Sequence, residues 1–284
     1  MQLAPVPPSA TSILVPGVSD APDERSWPLE IKSVDCLGVL GELWDELGLT
    51  RIVDEHVPVD DQVGIAPGQV LKALVLNIVG GRDPLYRVQR WAEQVPLNIV
   101  VGEGVRPEQL NDTTLGRHLD RLFEAGAEGV FNAACLRVVD VEGIRLERMQ
   151  GDTTSRLVFG AYRHEEDDGI SITHGHSKDK RPDLKQMMYG LVTSTDGVPL
   201  VGQVLSGNTS DKTWHGGMLD IIQRRYVEIS GRSVHYVGDS ALVTSRNFEL
   251  AHQNGIVVTS RLPRTISLTD SVVLRARCKA TPRK

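Results

Sequence analysis

Cysteine is scarce in this chain. Cys36, Cys135 and Cys278 are the 3 cysteines in 284 residues. They stand far apart, are odd in number and form no CxxC pair, so no disulfide framework is available and a reducing cytosolic compartment is expected. Free cysteines are usually buried, and Cys36 and Cys135 are expected to be small buried thiols. Long apolar runs are missing too. The longest, around Val70–Val79, is too short for a bilayer and is interrupted by Lys72 and Asn77. The N-terminus has no basic segment followed by an apolar core, so no signal peptide is expected. The expected location is therefore cytoplasmic, with no membrane partner. Nor is there an excess of positive charge: 31 basic residues face 37 acidic ones, for a net charge of −6. That excludes a uniformly basic coat for DNA and leaves room for a local basic face.

Several familiar site patterns are incomplete. Gly102-Glu103-Gly104 lacks the third glycine of a dinucleotide loop. Gly175-His176-Ser177-Lys178-Asp179 lacks the final glycine of a hydrolase nucleophile elbow, and Ser177–Lys180 fits S-x-x-K without the partner motifs of that chemistry. His174 and His176 have no Cys or further His at ligand spacing. An unrelated α/β hydrolase is thus left without a nucleophile and base.

What is present has an order. Hydrophobic residues at 40% and charged residues at 24% are ordinary for a globular protein, and 284 residues suffice for two domains or one large one. Residues 1–28 carry Pro5, Pro7, Pro8, Pro16, Pro22 and Pro28 with little apolar periodicity, and read as a disordered leader. Residues 29–142 read as a small all-α domain. Leu37, Leu40, Leu43, Trp44 and Leu47 recur at helical spacing until Gly48. Pro67 opens a second helix with Val70, Leu71, Leu74, Val75 and Ile78 inside. Leu85, Val88 and Trp91 suggest a third. Asn111 or Asp112 caps a fourth, Thr113–Ala125, with Leu115, Leu119 and Leu122 inward. Arg82, Arg87 and Arg90 fall near one helix, which fits either helix-turn-helix DNA binding or a solvated basic face.

At Gly143 the period changes from about 3.6 to about 2. Leu146–Ser155 and Ser233–Ala241 each read as a short strand that ends on a carboxylate, Asp152 or Asp239, and then turns into small polar residues. Two carboxylates on neighbouring strands make an oxygen-rich site suited to Mg²⁺ or Mn²⁺; alternatively, one of them merely caps a turn. Between them, Tyr162–Asp183 reads as a long polar connection. Lys185–Ser194 and Val198–Leu205 read as a hairpin across Thr195-Asp196-Gly197. A helix over Thr213–Glu228, another around Thr244–Gln253 and a strand at Gly255–Ser260 complete the pattern. Three antiparallel strands, helix, strand, helix, strand is the order of an α/β, ribonuclease-H-like mixed sheet, here spanning 143–263. In that fold the first and fourth strands are neighbours, which places Asp152 beside Asp239. Residues 264–284 form a basic tail without clear period, readable as a frameshifted end or as a DNA-contacting tail.

The motifs Gly151-Asp152-Thr153-Thr154-Ser155, His174 through Gln186, Gly207-Asn208-Thr209-Ser210-Asp211 and Val237-Gly238-Asp239-Ser240-Ala241 together resemble the DDE transposases of bacterial insertion sequences. The group typified by transposon five and insertion sequence four is the most similar. Leu85-Tyr86-Arg87-Val88 and Leu119-Asp120-Arg121-Leu122-Phe123 resemble the helical domain preceding the catalytic core in that group. The resemblance covers roughly Val34 to Pro263. It implies that Asp152 and Asp239 are the first two catalytic, metal-binding carboxylates. It also implies two Mg²⁺ (or Mn²⁺) ions as cofactors, and DNA as partner, in the form of terminal inverted repeats and target. A homo-oligomer is compatible with it. The family's third residue, a Glu in the pattern Tyr, two residues, Arg, three residues, Glu, six residues, Lys, has no match here. Glu249 follows Asp239 too closely and lacks the Tyr and Arg. The expectation is therefore a truncated transposase, inactive or weakly active; the alternative is a non-catalytic DNA-binding protein that recognises element ends and inhibits the full-length enzyme. Lys178, Lys180, Arg181 and Lys185 form the most basic patch and are the expected phosphate contacts, unless they are a solvated loop neutralised by Asp179 and Asp183.

Overall fold

The computed structural model describes residues 32, 34–58, 64–162, 169–176, 181–227 and 233–263. The leader 1–28, the tail 264–284, Cys278, Lys178 and Lys180 lie outside the described residues. Among the described residues, seven helices precede the first strand: α1 Leu37–Glu46, α2 Leu49–His56, α3 Pro67–Gly80, α4 Val88–Gln94, the single turn α5 Leu97–Val100, α6 Asp112–Ala125 and α7 Ala127–Glu142. Gly48, at φ 66, separates α1 from α2. It ends the first helix as expected, but a second begins at once, which the apolar spacing does not reveal. The Asn111 side chain accepts from the Thr114 amide and caps α6.

The helical core gathers Leu37, Val70, Leu76, Trp91, Val100 and Leu115. The helix α3 is turned differently from its expected orientation. Val75 and Ile78 are exposed, whereas Lys72 and Asn77 are buried. The run is apolar on all sides, so apolar spacing cannot choose the inner face; polar partners choose it. The buried Lys72 Nζ donates to both oxygens of Asp45, at 2.8 and 2.7 Å. Asn77 Nδ2 donates to the Asp83 carbonyl. Leu119 is likewise more exposed than expected. Arg82, Arg87 and Arg90 are all exposed, on the irregular segment after α3, a 3-10 turn and α4 respectively, and Arg87 lies over the Tyr86 ring. Cys135 is buried and its thiol is pushed up to about 11 by that burial, while Cys36 is exposed, contrary to expectation, because it sits at the mouth of α1 rather than inside it.

The chain then enters a five-stranded sheet: β1 Arg148–Val158, β2 Lys185–Ser194, β3 Pro199–Ser206, β4 His235–Gly238 and β5 Val257–Ser260. Their order is β3-β2-β1-β4-β5. β1, β2 and β3 are antiparallel neighbours, and β4 and β5 run parallel to β1. This is the ribonuclease-H-like arrangement, a mixed α/β core. Gly197, at φ 82, turns the β2–β3 hairpin at the expected Asp-Gly. Helices α8 (Asp211–Ile222, loosening into a π turn at Gln223–Val227) and α9 (Ser245–Gln253) cover one face. There Met149, Val192 and Tyr236 of the sheet meet Trp214, Met218, Leu219 and Ala251. On the other face α7 lies against β3. Phe131 packs so tightly on Gly202 that a Cβ there would stand 2.5 Å from its ring.

The Lys72–Asp45 pair gives a stability prediction. Removing Asp45 strands a buried ammonium, so Asp45→Ala should cost about 3 kcal/mol in urea unfolding, whereas Lys72→Met, which removes the charge with its partner's task, should cost clearly less.

Candidate active site

Strand β1 alternates: Met149, Gly151 and Thr153 point into the covered core, and Asp152 and Thr154 point to the open face. The strand does not end at Asp152, as the sequence suggests. It continues to Val158, because β2 pairs with it from Met149 through Val158. Small polar residues after the Asp are therefore strand, not turn. Strand β4 does end before its carboxylate. The parallel register pairs Arg148 with His235 and Gln150 with Val237. Two residues further on stand Asp152, still within β1, and Asp239, just past the end of β4, and both line the same cleft.

Each carboxylate is half tied. Asp152 Oδ1 accepts from the Thr153 amide at 2.8 Å. Asp239 Oδ1 accepts from the Ala241 amide at 2.9 Å and lies 3.2 Å from His215 Nε2. Asp239 thus does cap a turn, the 3-10 turn Ser240–Leu242, and faces the cleft as well. These bonds engage one oxygen of each carboxylate. Oxygens on two adjacent strand positions fit Mg²⁺ or Mn²⁺, which takes one or two carboxylates and completes its shell with water and phosphate. Among the described residues no group of three or more His, Cys, Asp or Glu is placed to hold a metal. Glu249 is exposed on α9 and does not line the cleft.

The two carboxylates line one side of an open cleft of about 990 Å³ that also takes in Gln150, Tyr189, Leu191, Phe123 and Phe131. Its floor is the uncovered sheet face, where Tyr189 and Leu191 are each 40% exposed. Of the expected basic residues, the two that are described, Lys185 and Arg181, do not line the cleft. Lys185 pairs with Val158 and Asp152 with Leu191, so Lys185 lies about 20 Å along the strands from the carboxylates at 3.3 Å per residue. Its Nζ donates to the Ala161 and Tyr162 carbonyls, both at 2.6 Å. Arg181 makes a forked ion pair with Asp183. Lys178 and Lys180 are outside the described residues.

Beneath the carboxylates lies a network that the sequence reading misses. His215 of α8 is buried; its Nδ1 is 2.9 Å from the Tyr236 hydroxyl. One turn earlier on the same helix, Asp211 Oδ1 accepts from Thr153 Oγ1 at 2.7 Å. The glycine before each Asp makes the room. A Cβ on Gly151 would sit 2.1 Å from the Tyr236 hydroxyl, and one on Gly238 2.9 Å from the His215 ring. The signal was readable in part: His215 falls on the same helix stripe as Trp214, Met218, Leu219 and Ile222, where an apolar residue is the rule. Burial lowers the His215 pKa from its ordinary 6.5, against the opposing pull of Asp239, Asp211 and Asp152.

A family model described as a domain of unknown function, DUF4277, matches residues 29–136, the helical part. No curated protein matches the chain by sequence. Among solved structures, the catalytic domain of Mos1 mariner transposase is similar at 12% identity and a TM-score of 0.27, over 52% of this chain and 67% of that one. The piggyBac transposase in a synaptic complex with hairpin DNA is similar at 8% identity and a TM-score of 0.44, over 87% of this chain and 54% of that one. A simian T-cell lymphotropic virus intasome in complex with PP2A regulatory subunit B56 gamma is similar at 14% identity and 0.25, with 38% of its chain spanned. The chain therefore spans about half or less of two of these three. At such scores the fold assignment rests on this chain's own strand order.

The buried imidazole gives a pH prediction. Unfolding releases His215 to its ordinary pKa of 6.5, so the unfolded chain binds a proton that the folded chain refuses just below that pH. Its contribution to stability should be full above about pH 6.5 and fall as the pH drops towards the lower folded value. His215→Gln should flatten that part of the denaturation-midpoint profile.

Proposed function

We propose that this chain performs, or retains part of, DDE-transposase chemistry: metal-dependent cleavage and transfer of DNA phosphodiesters, with Asp152 and Asp239 as catalytic metal ligands. The observation that supports the reading is the β1–β4 register, with Asp152 two residues past Gln150, Asp239 two past Val237, and both lining the open cleft. The motifs that resemble the transposon-five and insertion-sequence-four group support the finer assignment. In this reading residues 29–142 are the helical domain that contacts element-end DNA and 143–263 the catalytic core. Copies of the chain would come together on paired ends.

The chain's own part in the chemistry is to hold acceptors still. The Thr153 amide fixes one oxygen of Asp152, and the Ala241 amide and His215 fix one of Asp239. Both residues line the cleft, where they would hold Mg²⁺ or Mn²⁺. Such ions, when bound, activate water and neutralise charge at the scissile phosphate. The cleft floor of Tyr189 and Leu191 offers a nucleotide strand an apolar and aromatic bed. With two protein carboxylates the metal grip is weak, so cleavage by this chain alone is expected to be slow and better with Mn²⁺.

The test is nicking of element-end DNA in Mn²⁺. We expect weak nicking that falls to background in both Asp152→Ala and Asp239→Ala. Binding without nicking at any metal concentration would favour the non-catalytic, end-binding reading instead. The basic loop is tested separately. If Lys178 and Arg181 contact phosphates, removing both should reduce the magnitude of the slope of log affinity against log salt by about 0.9 per lost contact; an unchanged slope would assign them to a solvated loop.

A further inference from the structure

We infer that His215 is a positioning residue for Asp239, held in one tautomer by the hydroxyl of Tyr236; the inference rests on the reading of Asp239 as a metal ligand. For a neutral imidazole the geometry leaves one proton arrangement. Asp239 Oδ1, 3.2 Å from His215 Nε2, is a carboxylate oxygen and can only accept. Nε2 must therefore carry the hydrogen. A neutral imidazole then presents a bare Nδ1, and the group 2.9 Å from it is the Tyr236 hydroxyl, which donates. The resulting chain runs from the tyrosine O–H through the imidazole to the carboxylate, with every link donor to acceptor. Tyr236 is fully buried on β4 and has the strand's own hydrogen bonds to fix its backbone.

The arrangement is built rather than incidental. Tyr236 fits only because Gly151 lacks a Cβ, and His215 has its room only because Gly238 does. Both glycines directly precede the carboxylates. The ring of His215 lies edge-on to Tyr236, with centroids 5.8 Å apart and planes at 70°. The helix that carries His215 is itself tied to β1 by Asp211 and Thr153. Thus α8 reaches both carboxylate strands within one turn. Without the Nε2–H bond, Asp239 Oδ1 keeps, among the described residues, the Ala241 amide, its turn neighbour two residues on. A partner that orients a ligand in this way is worth 10–100-fold in metal affinity in other proteins.

The experiment measures Mn²⁺ binding to the full 284-residue chain by the loss of the free-ion paramagnetic signal. The variants are Tyr236→Phe, His215→Leu, His215→Gln, Asp239→Asn and Asp152→Asn, and near-ultraviolet dichroism checks each fold. We expect about 10–100-fold weaker binding for Tyr236→Phe and His215→Leu. His215→Gln, whose amide nitrogen can take the place of Nε2, should recover most of it. Long-range proton–nitrogen spectra of the unaltered chain should show Nε2 protonated and Nδ1 bare. If the two Asp variants lose Mn²⁺ while Tyr236→Phe and His215→Leu bind normally, His215 does not position Asp239. A protonated Nδ1, or no recovery in His215→Gln, overturns it equally. If neither Asp variant changes Mn²⁺ binding, the metal-site reading itself fails, and the inference with it.

Discussion

The parallel pairing of β1 with β4 is the constraint on which the site depends. Asp152 and Asp239 are far apart in the chain, and nothing local brings them together. Three registered positions, Arg148 with His235 through Gln150 with Val237, do so. A slip of one residue would turn one carboxylate into the core and the other to the open face. The covered side guards against such a slip. Met149 and Tyr236 are fully buried on that side, so a shifted strand would expose one of them. The hydrophobic core thereby fixes the spacing of the charged groups on the opposite face.

Much of the sheet was legible because its signals are local. The Asp-Gly turn sets the β2–β3 hairpin, and the strand and helix order gives the topology. The extent of β1 past Asp152 was not legible, since Thr153, Thr154 and Ser155 read as turn residues and only pairing with β2 makes them strand. His215 and Tyr236 escaped for the same kind of reason. Their meaning lies in a contact across 21 residues, and each taken alone is an ordinary buried side chain. The helical part shows the complementary failure. In α3 the apolar pattern was too uniform to name an inner face, and Lys72 settled it by reaching Asp45, 27 residues away.

The glycines of the two Gly-Asp pairs take on a specific meaning in this light. A turn would explain them by backbone freedom, yet neither Gly151 nor Gly238 is among the residues with positive φ. What they supply is space, for a phenol and an imidazole that approach the strands from below. The motif around each carboxylate therefore records the network under it.

The sheet is unequal in its two halves. β1 and β2 share ten registered pairs and β2 and β3 seven, whereas β4 is joined to β1 by three and to β5 by four. Asp152 belongs to the long meander and Asp239 to the short flank. Local opening follows the weaker set of bonds. Fewer registered pairs hold the flank, so the pairing of the two carboxylates leans on the shared core of Met149, Tyr236 and Leu242 as well as on the strand bonds. The two carboxylates thus belong to halves of the sheet that differ in length, and it is the shorter half that decides whether they meet.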